Sequence, residues 1–344
     1  MRGVPKGAQR LVLLKILVTG ATGFLGGRVI SKLLEEGHEV VGLVRESSNR
    51  EGVPKGTEII EADLFDIESL KKAVQGVHAV MHFAAYFNFY PSDEELMFKV
   101  NVEGAKNLMN ACVGTDVERF IYCSSTETMG GIRYPPANED TELRPNFSYG
   151  ESKIMAERAI RQITEDTGLA HIILRPTGVM GEGDLYVMYE VVKELYNEKV
   201  FAVPRDLSAK FMYTHIDDVV SGFVSALTPM AALNNTIILC PDEPMSWGQL
   251  VESMTEYLGV KPPRLRVPSV VAKFGMLLLS PFKNRNKMTF FWHRKTIDMI
   301  AQDRVYTNEK AKRLLGWAPE VTMIEGFKRA VDWYFENGYL EKRV

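Results

Sequence analysis

Cysteine is scarce in this chain: there are three, Cys112, Cys123 and Cys240, and they form neither a close pair nor a CxxC. So sparse and odd a count argues against a disulfide-stapled scaffold. It fits free thiols in a reducing compartment, so a cytoplasmic protein is expected. The six histidines stand apart without metal-ligand spacing, and no metal is expected. Charge of either sign is nearly balanced, at a net −3, which leaves no basic field for nucleic acid. Long apolar runs are missing too. Leu11 to Val18 is broken by Lys15 and runs straight into glycines, which reads as a buried strand rather than a signal peptide or a membrane span. Val270 to Phe282, apolar apart from Lys273 and Ser280, is too short to cross a bilayer. There are no repeats and no low-complexity segments.

What is present is ordinary in bulk and specific in pattern. With 344 residues, 46 % hydrophobic and 25 % charged, the chain can bury a large core. Short Val/Ile/Leu/Phe runs alternate with amphipathic stretches, as βα units around a parallel sheet covered on both faces would require. Strands are predicted over Lys15–Thr19, Glu39–Arg45, Glu58–Leu64, Ala79–Ala85, Arg119–Ser125 and His171–Pro176, with helices over about 24–36, 93–112 and 149–167. After Pro176 prolines accumulate and helices dominate, while Thr236–Pro241 reads as one more strand returning to the sheet. Ser246/Gln249 and Thr322/Glu325 have capping-box spacing, the second opening a helix with Phe327, Trp333, Tyr334 and Phe335. Asp217 and Asp218 begin another helix, with Asp217 or its neighbour as cap. The expected fold is therefore α/β, a Rossmann doubly wound parallel sheet with a smaller, mostly helical C-terminal substrate lobe. The dinucleotide-binding part is placed at 11–178 with a return segment near 210–242, and the lobe at 179–209 and 243–340.

The first chemical signal is Thr-Gly-Ala-Thr-Gly-Phe-Leu-Gly, Thr19 to Gly26, between an apolar strand and a helix. Gly20, Gly23 and Gly26, with Thr22, Phe24 and Leu25 among them, permit a tight turn and close approach of a pyrophosphate to the helix N-terminus. At the end of the second strand Arg45 suits a 2′-phosphate and favours NADP, whereas Glu46 in the acidic role would serve NAD. Asp63 and Leu64 close the third strand where an adenine amino group would lie. Phe83, Ala84 and Ala85 end the fourth with small residues that let a cofactor lie close.

The second signal is Tyr149 and Lys153, four apart on one helix face, after Ser125 at the end of the fifth strand. A tyrosine is a poor base at neutral pH, but an adjacent ammonium and a cationic nicotinamide ring both favour its phenolate. Tyr149 then acts as general base on an alcohol or general acid on a ketone, and Ser125 stabilises charge on the substrate oxygen.

In this order the motifs resemble an extended short-chain dehydrogenase/reductase, and the resemblance runs from Lys15 to about Tyr334. The supporting segments are the glycine turn, Ala62-Asp63-Leu64, His82-Phe-Ala-Ala85, Asn101-Val-Glu-Gly104, Tyr122-Cys-Ser-Ser125, Tyr149-xxx-Lys153, Leu174-Arg-Pro176 and Tyr213-Thr-His-Ile-Asp-Asp218. Within the superfamily the chain is most similar to the dihydroflavonol-reductase and 3β-hydroxysteroid-dehydrogenase-like branch. The resemblance implies that Ser125, Tyr149 and Lys153 form the catalytic triad and that Pro176 to Val179 flank the nicotinamide. It also implies a structural part for Asn101, a small-molecule substrate and a homodimer through the two long helices. Sugar-nucleotide epimerases of this kind carry Val-Tyr-Gly after the serines, whereas this chain has Thr128-Met129-Gly130. Three readings follow: a net oxidoreductase on a secondary alcohol or ketone, a nucleotide-sugar epimerase or dehydratase that recycles NAD internally, and a non-catalytic nucleotide sensor. Glu127 either faces water as a loop residue or abstracts a proton beside a transient ketone. The apolar 270–282 stretch, followed by Lys283, Arg285 and Lys287, either packs in the lobe, lines an apolar pocket or rests on a membrane surface.

Overall fold

The structure, a computed structural model, describes residues 13–89, 93–200, 202–268, 270–271 and 294–341. The strands β1 (Lys15–Thr19), β2 (Glu39–Val44), β3 (Glu58–Glu61), β4 (Ala79–His82), β5 (Arg119–Cys123) and β6 (Ala170–Pro176) join Asn235–Leu239 in one seven-stranded sheet. From one edge the order is Asn235–Leu239, β6, β5, β4, β1, β2, β3, and every pairing is parallel. The chain leaves β1 toward β2 on one side and resumes at β4 on the other. That switch opens a crevice above the carboxyl ends of β1 and β4, where ligands bind in open α/β sheets.

Period-two alternation decides which residues face which layer. Ile16 and Val18 join Ala79, Met81 and Ile121 under α1 (Phe24–Glu35) and the helix Ile216–Ser225. Leu17, Val80, Phe120 and Tyr122 point the other way, toward α2 (Ile67–Ala73), α4 (Gly104–Cys112) and α5 (Ser148–Thr167). The helix expected over 93–112 is not uniform. It runs as α3 (Glu94–Phe98), a π-turn over Lys99–Glu103, and then α4. The π-turn contains buried Asn101, whose amide accepts from Tyr86 N (2.7 Å) and donates to Tyr86 O (3.1 Å) and Ser152 Oγ (2.9 Å). Widening the helix there coincides with a side chain stitching it to the loop after β4.

β2 and the return strand stop one and two residues short of expectation, at Val44 and Leu239, and three other strands end earlier still or turn away over the crevice. Leu64, Ala85 and Ser125 lie beyond the last residues of β3, β4 and β5. Their neighbours' N–H groups are taken by side chains instead of the ladder: Phe65 N by Asp63 (2.8 Å), Ala84 N by Thr19 Oγ1 (3.1 Å) and Glu127 N by Ser125 Oγ (3.1 Å). The segments thereby turn over the crevice rather than extend the sheet.

A second apolar core joins the helices Val187–Tyr196, Trp247–Tyr257 and Met323–Glu336, with Phe211 stacked on Trp247 at 4.1 Å between ring centroids. Phe327 and Tyr334 are fully buried in it, and Trp333 and Phe335 partly so. The Ser246/Gln249 box forms reciprocally; at Thr322 only the bond that Glu325 N donates to the hydroxyl (3.3 Å) is present. The cap expected at Asp217 or its neighbour is instead His215, whose Nδ1 accepts from Asp217 N (3.3 Å). Asp218 is withdrawn from capping by Glu320 N (2.8 Å) and Val321 N (3.0 Å), which hold its carboxylate. No helix among the described residues is long and apolar enough to cross a membrane. Of the 270–282 stretch only Val270 and Val271, both exposed, are described; the remainder and the basic residues after it lie outside the described residues.

Candidate active site

The glycine turn is as tight as its composition requires. Gly20 has φ +70°, and a Cβ there would sit 2.9 Å from Ala84 N. On Gly26 a Cβ would lie 2.2 Å from Gly20 O. No side chain caps α1 at Gly23, so the positive end of a 12-residue helix is left to the crevice. A group with a pyrophosphate fits these residues: uncapped helix start, glycine backbone and small flanking residues. Thr22, Phe24, Leu25, Arg45, Asp63, Leu64, Phe83, Ala84 and Ala85 line the same cavity of about 730 Å³ as Ser125, Tyr149, Lys153, Pro176 and Val179. Arg45 is exposed just past β2, and its guanidinium has no hydrogen bond or ion pair among the described residues. The Asp63 carboxylate turns back on its own loop, to Phe65 N.

Tyr149, Lys153 and Glu157 form one buried stripe of α5. The start of that helix lies against the loop after β5 so closely that a Cβ on Gly150 would meet Glu127 O at 2.3 Å. Ser125 caps the short helical turn Thr126–Thr128. Lys153 Nζ donates to Cys123 O (2.8 Å) and lies 5.6 Å from the Tyr149 ring centroid, so it holds the strand end rather than the phenol. Burial, and after it Cys123 and Glu127, pushes the Tyr149 phenol well above its ordinary value. Burial also lowers Lys153. The lowering expected from the ammonium is thus outweighed by desolvation.

Beneath the stripe lies an ion pair that sequence reading missed. Arg175 donates from Nε to Glu157 Oε1 (2.8 Å) and from Nη2 to Oε2 (2.6 Å), both side chains being 2 % exposed or less. Ser124 Oγ and Arg161 Nη2 complete the shell at 2.6 and 3.1 Å. The signal was the four-residue spacing carried one step beyond Lys153, together with an arginine directly after the apolar run Ile172–Leu174.

Sequence reading also missed the far end of the cavity. The segment 303–305 runs beside Lys210 and the 132–137 loop, through Arg304 N to Lys210 O (2.7 Å), Ile132 N to Asp303 O (2.7 Å) and Ala137 N to Val305 O (2.8 Å). It delivers buried Arg304 to Glu127 Oε1 (2.8 Å) and Asn146 Oδ1 (2.9 Å). Glu127 therefore does not face water: its side chain is 17 % exposed and ion-paired. Around this pair the wall is aromatic and thioether: Phe87, Tyr186, Met188, Phe211, Met212, Tyr213, Trp247, Met299 and Tyr306. Phe87 meets Tyr149 edge-on at 4.9 Å and Tyr186 at 5.8 Å. Burial lifts the Tyr306 phenol to about 12.

A doubly wound sheet with an open helix start at its switch point defines a dinucleotide-handling protein. Residues 16–239 match the NAD dependent epimerase/dehydratase family, and the chain belongs to that family. It is an NAD(P)-dependent oxidoreductase of the extended short-chain dehydrogenase/reductase type. The 3-beta-hydroxysteroid dehydrogenase of Mycolicibacterium neoaurum is 26 % identical over 340 residues, 93 % of this chain and 91 % of that one. Sterol demethylase protein B of Methylococcus capsulatus is 26 % identical over 333 residues, 94 % of this chain and 99 % of its own. The UDP-glucuronic acid 4-epimerase of Bacillus cereus, solved in complex with NAD, shares the fold at a TM-score of 0.75 and 20 % identity, over 94 % of this chain and 99 % of that one.

Proposed function

We propose that this protein interconverts a neutral, apolar secondary alcohol and its ketone. Ser125, Tyr149 and Lys153 are its catalytic residues, and the residues around the glycine turn hold a nicotinamide dinucleotide. The observation that carries this reading is the state of the cations on the cavity wall. Among the described residues these are Arg45, Lys153 and Arg304. Arg45 lies just past β2, Lys153 stands beside Tyr149 with one donor given to Cys123 O, and Arg304 is neutralised by Glu127. None of these is left at the substrate end to meet a diphosphate, so the described residues offer a nucleotide sugar no cationic side chain there. Aromatic and methionine side chains instead suit an apolar body. The relatives named for hydroxysteroid and sterol chemistry support a rigid, polycyclic substrate of that kind.

When bound, the nicotinamide gives or accepts the hydride. In the reductive direction Tyr149 donates its phenolic proton to the carbonyl oxygen, and the Ser125 hydroxyl donates a hydrogen bond to the same oxygen. A phenol held up by burial is ready as an acid at neutral pH. In the oxidative direction the same group must give up its proton first. Lys153, anchored at Cys123 O, keeps two further donors that would hold the cofactor ribose.

The test is a substrate panel with purified protein. A hydroxysteroid with oxidised cofactor, or a ketosteroid with reduced cofactor, is expected to change the 340 nm absorbance of the nicotinamide. UDP-glucose epimerised without net redox change, with no response to any apolar alcohol, would overturn the reading.

The unpaired Arg45 guanidinium supports a preference for NADP, through a 2′-phosphate. Arg45→Asp is expected to shift the NADP/NAD affinity ratio toward NAD by at least about tenfold, the scale of one charge-assisted contact. An unchanged ratio assigns Arg45 to solvent.

A further inference from the structure

At the substrate end of the cavity, where Glu127 is paired with Arg304, the wall carries a further carboxyl group that the proposed chemistry does not use. Asp184 lies on the loop between the strand Gly178–Met180 and the helix Val187–Tyr196, and it is 2 % exposed yet lines the cavity. The loop is clamped from several sides. Asp184 N donates to Gly181 O (3.1 Å), Tyr334 OH donates to Asp184 O (2.6 Å), and Arg28 Nη2 on α1 donates to Glu182 O (2.9 Å). Arg329 Nε adds an ion pair to the Glu182 carboxylate at 2.7 Å. The position of the Asp184 side chain is therefore imposed by the scaffold and does not depend on a ligand.

Only one of its oxygens is occupied: Oδ1 accepts from Tyr186 N at 2.8 Å. Oδ2 has no partner among the described residues and is not sealed from solvent, and Asp184 stands on the cavity wall. A serine would close the same local turn with one oxygen. Burying a second carboxylate oxygen without a protein partner costs free energy, unless a ligand supplies the partner. The site is tied to the reacting centre by rings in contact: Tyr186, two residues from Asp184, meets Phe87, and Phe87 meets Tyr149.

We infer that Asp184 is a specificity-determining residue whose free oxygen hydrogen-bonds a second oxygen of the substrate, a hydroxyl or carbonyl remote from the one that reacts. The inference rests on the apolar-alcohol reading and names its substrate class more narrowly: a rigid apolar alcohol carrying oxygen at both ends. Burial lifts the carboxyl to about 7, against the pull of Tyr186 N, so near neutrality both donor and acceptor forms are present. A carbonyl is met by the first and a hydroxyl by the second.

The experiment is equilibrium binding to the Tyr149→Phe protein loaded with NADP, which holds substrate without turning it over. The probes are a saturated steroid alcohol with no other oxygen and the same alcohol with a ketone on its five-membered ring. The ketone-bearing compound is expected to bind about tenfold tighter, the worth of one hydrogen bond to a buried partner. Adding Asp184→Ser, which retains an oxygen for Tyr186 N, removes that preference, and Asp184→Asn restores most of it. Equal loosening of both compounds in the Asp184→Ser protein, or an unchanged ratio, overturns the assignment and leaves Asp184 as a turn residue. Failure of either steroid to bind any of the three proteins overturns the apolar-alcohol reading itself, and this inference with it.

Discussion

Tyr149→Phe is expected to lower kcat by about 10³-fold or more and to leave cofactor affinity within about twofold, given the scale of a lost general acid–base. The substitution removes one oxygen and little else. Phe keeps the ring that meets Phe87 edge-on, and the side chain remains buried at the start of α5. Lys153 is undisturbed, because its hydrogen bond goes to Cys123 O and not to the phenol. The glycine turn and the uncapped start of α1 belong to a different part of the chain. Cofactor titration by fluorescence, beside steady-state rates on the steroid pair, separates the two effects. Near-normal turnover would remove Tyr149 from the chemistry. Because burial raises the phenol, wild-type oxidation should accelerate as pH rises, while reduction changes little through neutrality.

The second large effect is on stability. Glu157→Gln is expected to cost about 3–5 kcal/mol, since it strands a buried guanidinium without its counter-charge. Both partners are almost fully enclosed, so solvent screening gives little relief. Burial alone would raise the Glu157 carboxyl. The hydrogen bonds and charges of Arg175, with Ser124 and Arg161, outweigh it and hold the group below its ordinary value. The sign follows from linkage. A carboxyl lowered in the folded protein contributes stability that is fully present above its unfolded value, about 4.3. That contribution is lost as pH falls through the folded value. Urea melts of wild type should therefore weaken on the acid side, and those of Glu157→Gln should weaken less. Adding Arg175→Met to Glu157→Gln is expected to recover much of the loss, as replacing a whole buried pair often does. If the single variant melts like wild type, the pair contributes nothing.

The two effects arise from the same stripe of α5, and they were not equally legible. Tyr149 and Lys153 could be placed from spacing, because residues four apart share a helical face whatever surrounds them. Glu157 obeys the same rule, yet a third charge on a helix reads as solvated until something buries it. Only β6, beside α5, decides that Arg175 meets it in the interior. The strand starts were legible because a sheet covered on both faces needs unbroken apolar runs. The ends of β3, β4 and β5 were not, because side-chain acceptors such as Thr19, Asp63 and Ser125 compete with the ladder for backbone N–H groups only once the crevice is assembled. Asp217 looked like a cap by composition and lost that place to His215.

By itself the sequence determined the period of each element, the glycine turn that opens α1 and the set of residues that converges on one crevice, since these depend on local backbone geometry and on residue spacing. The tertiary structure alone decided the character of the substrate end. Arg304 and Glu127 are 177 residues apart along the chain, and no local pattern announces that they meet. Their pairing gives a buried arginine its counter-charge and makes of the two a neutral boundary. A charge in a low-dielectric cavity is defined by its nearest counter-charge, and that neighbour is a property of the fold.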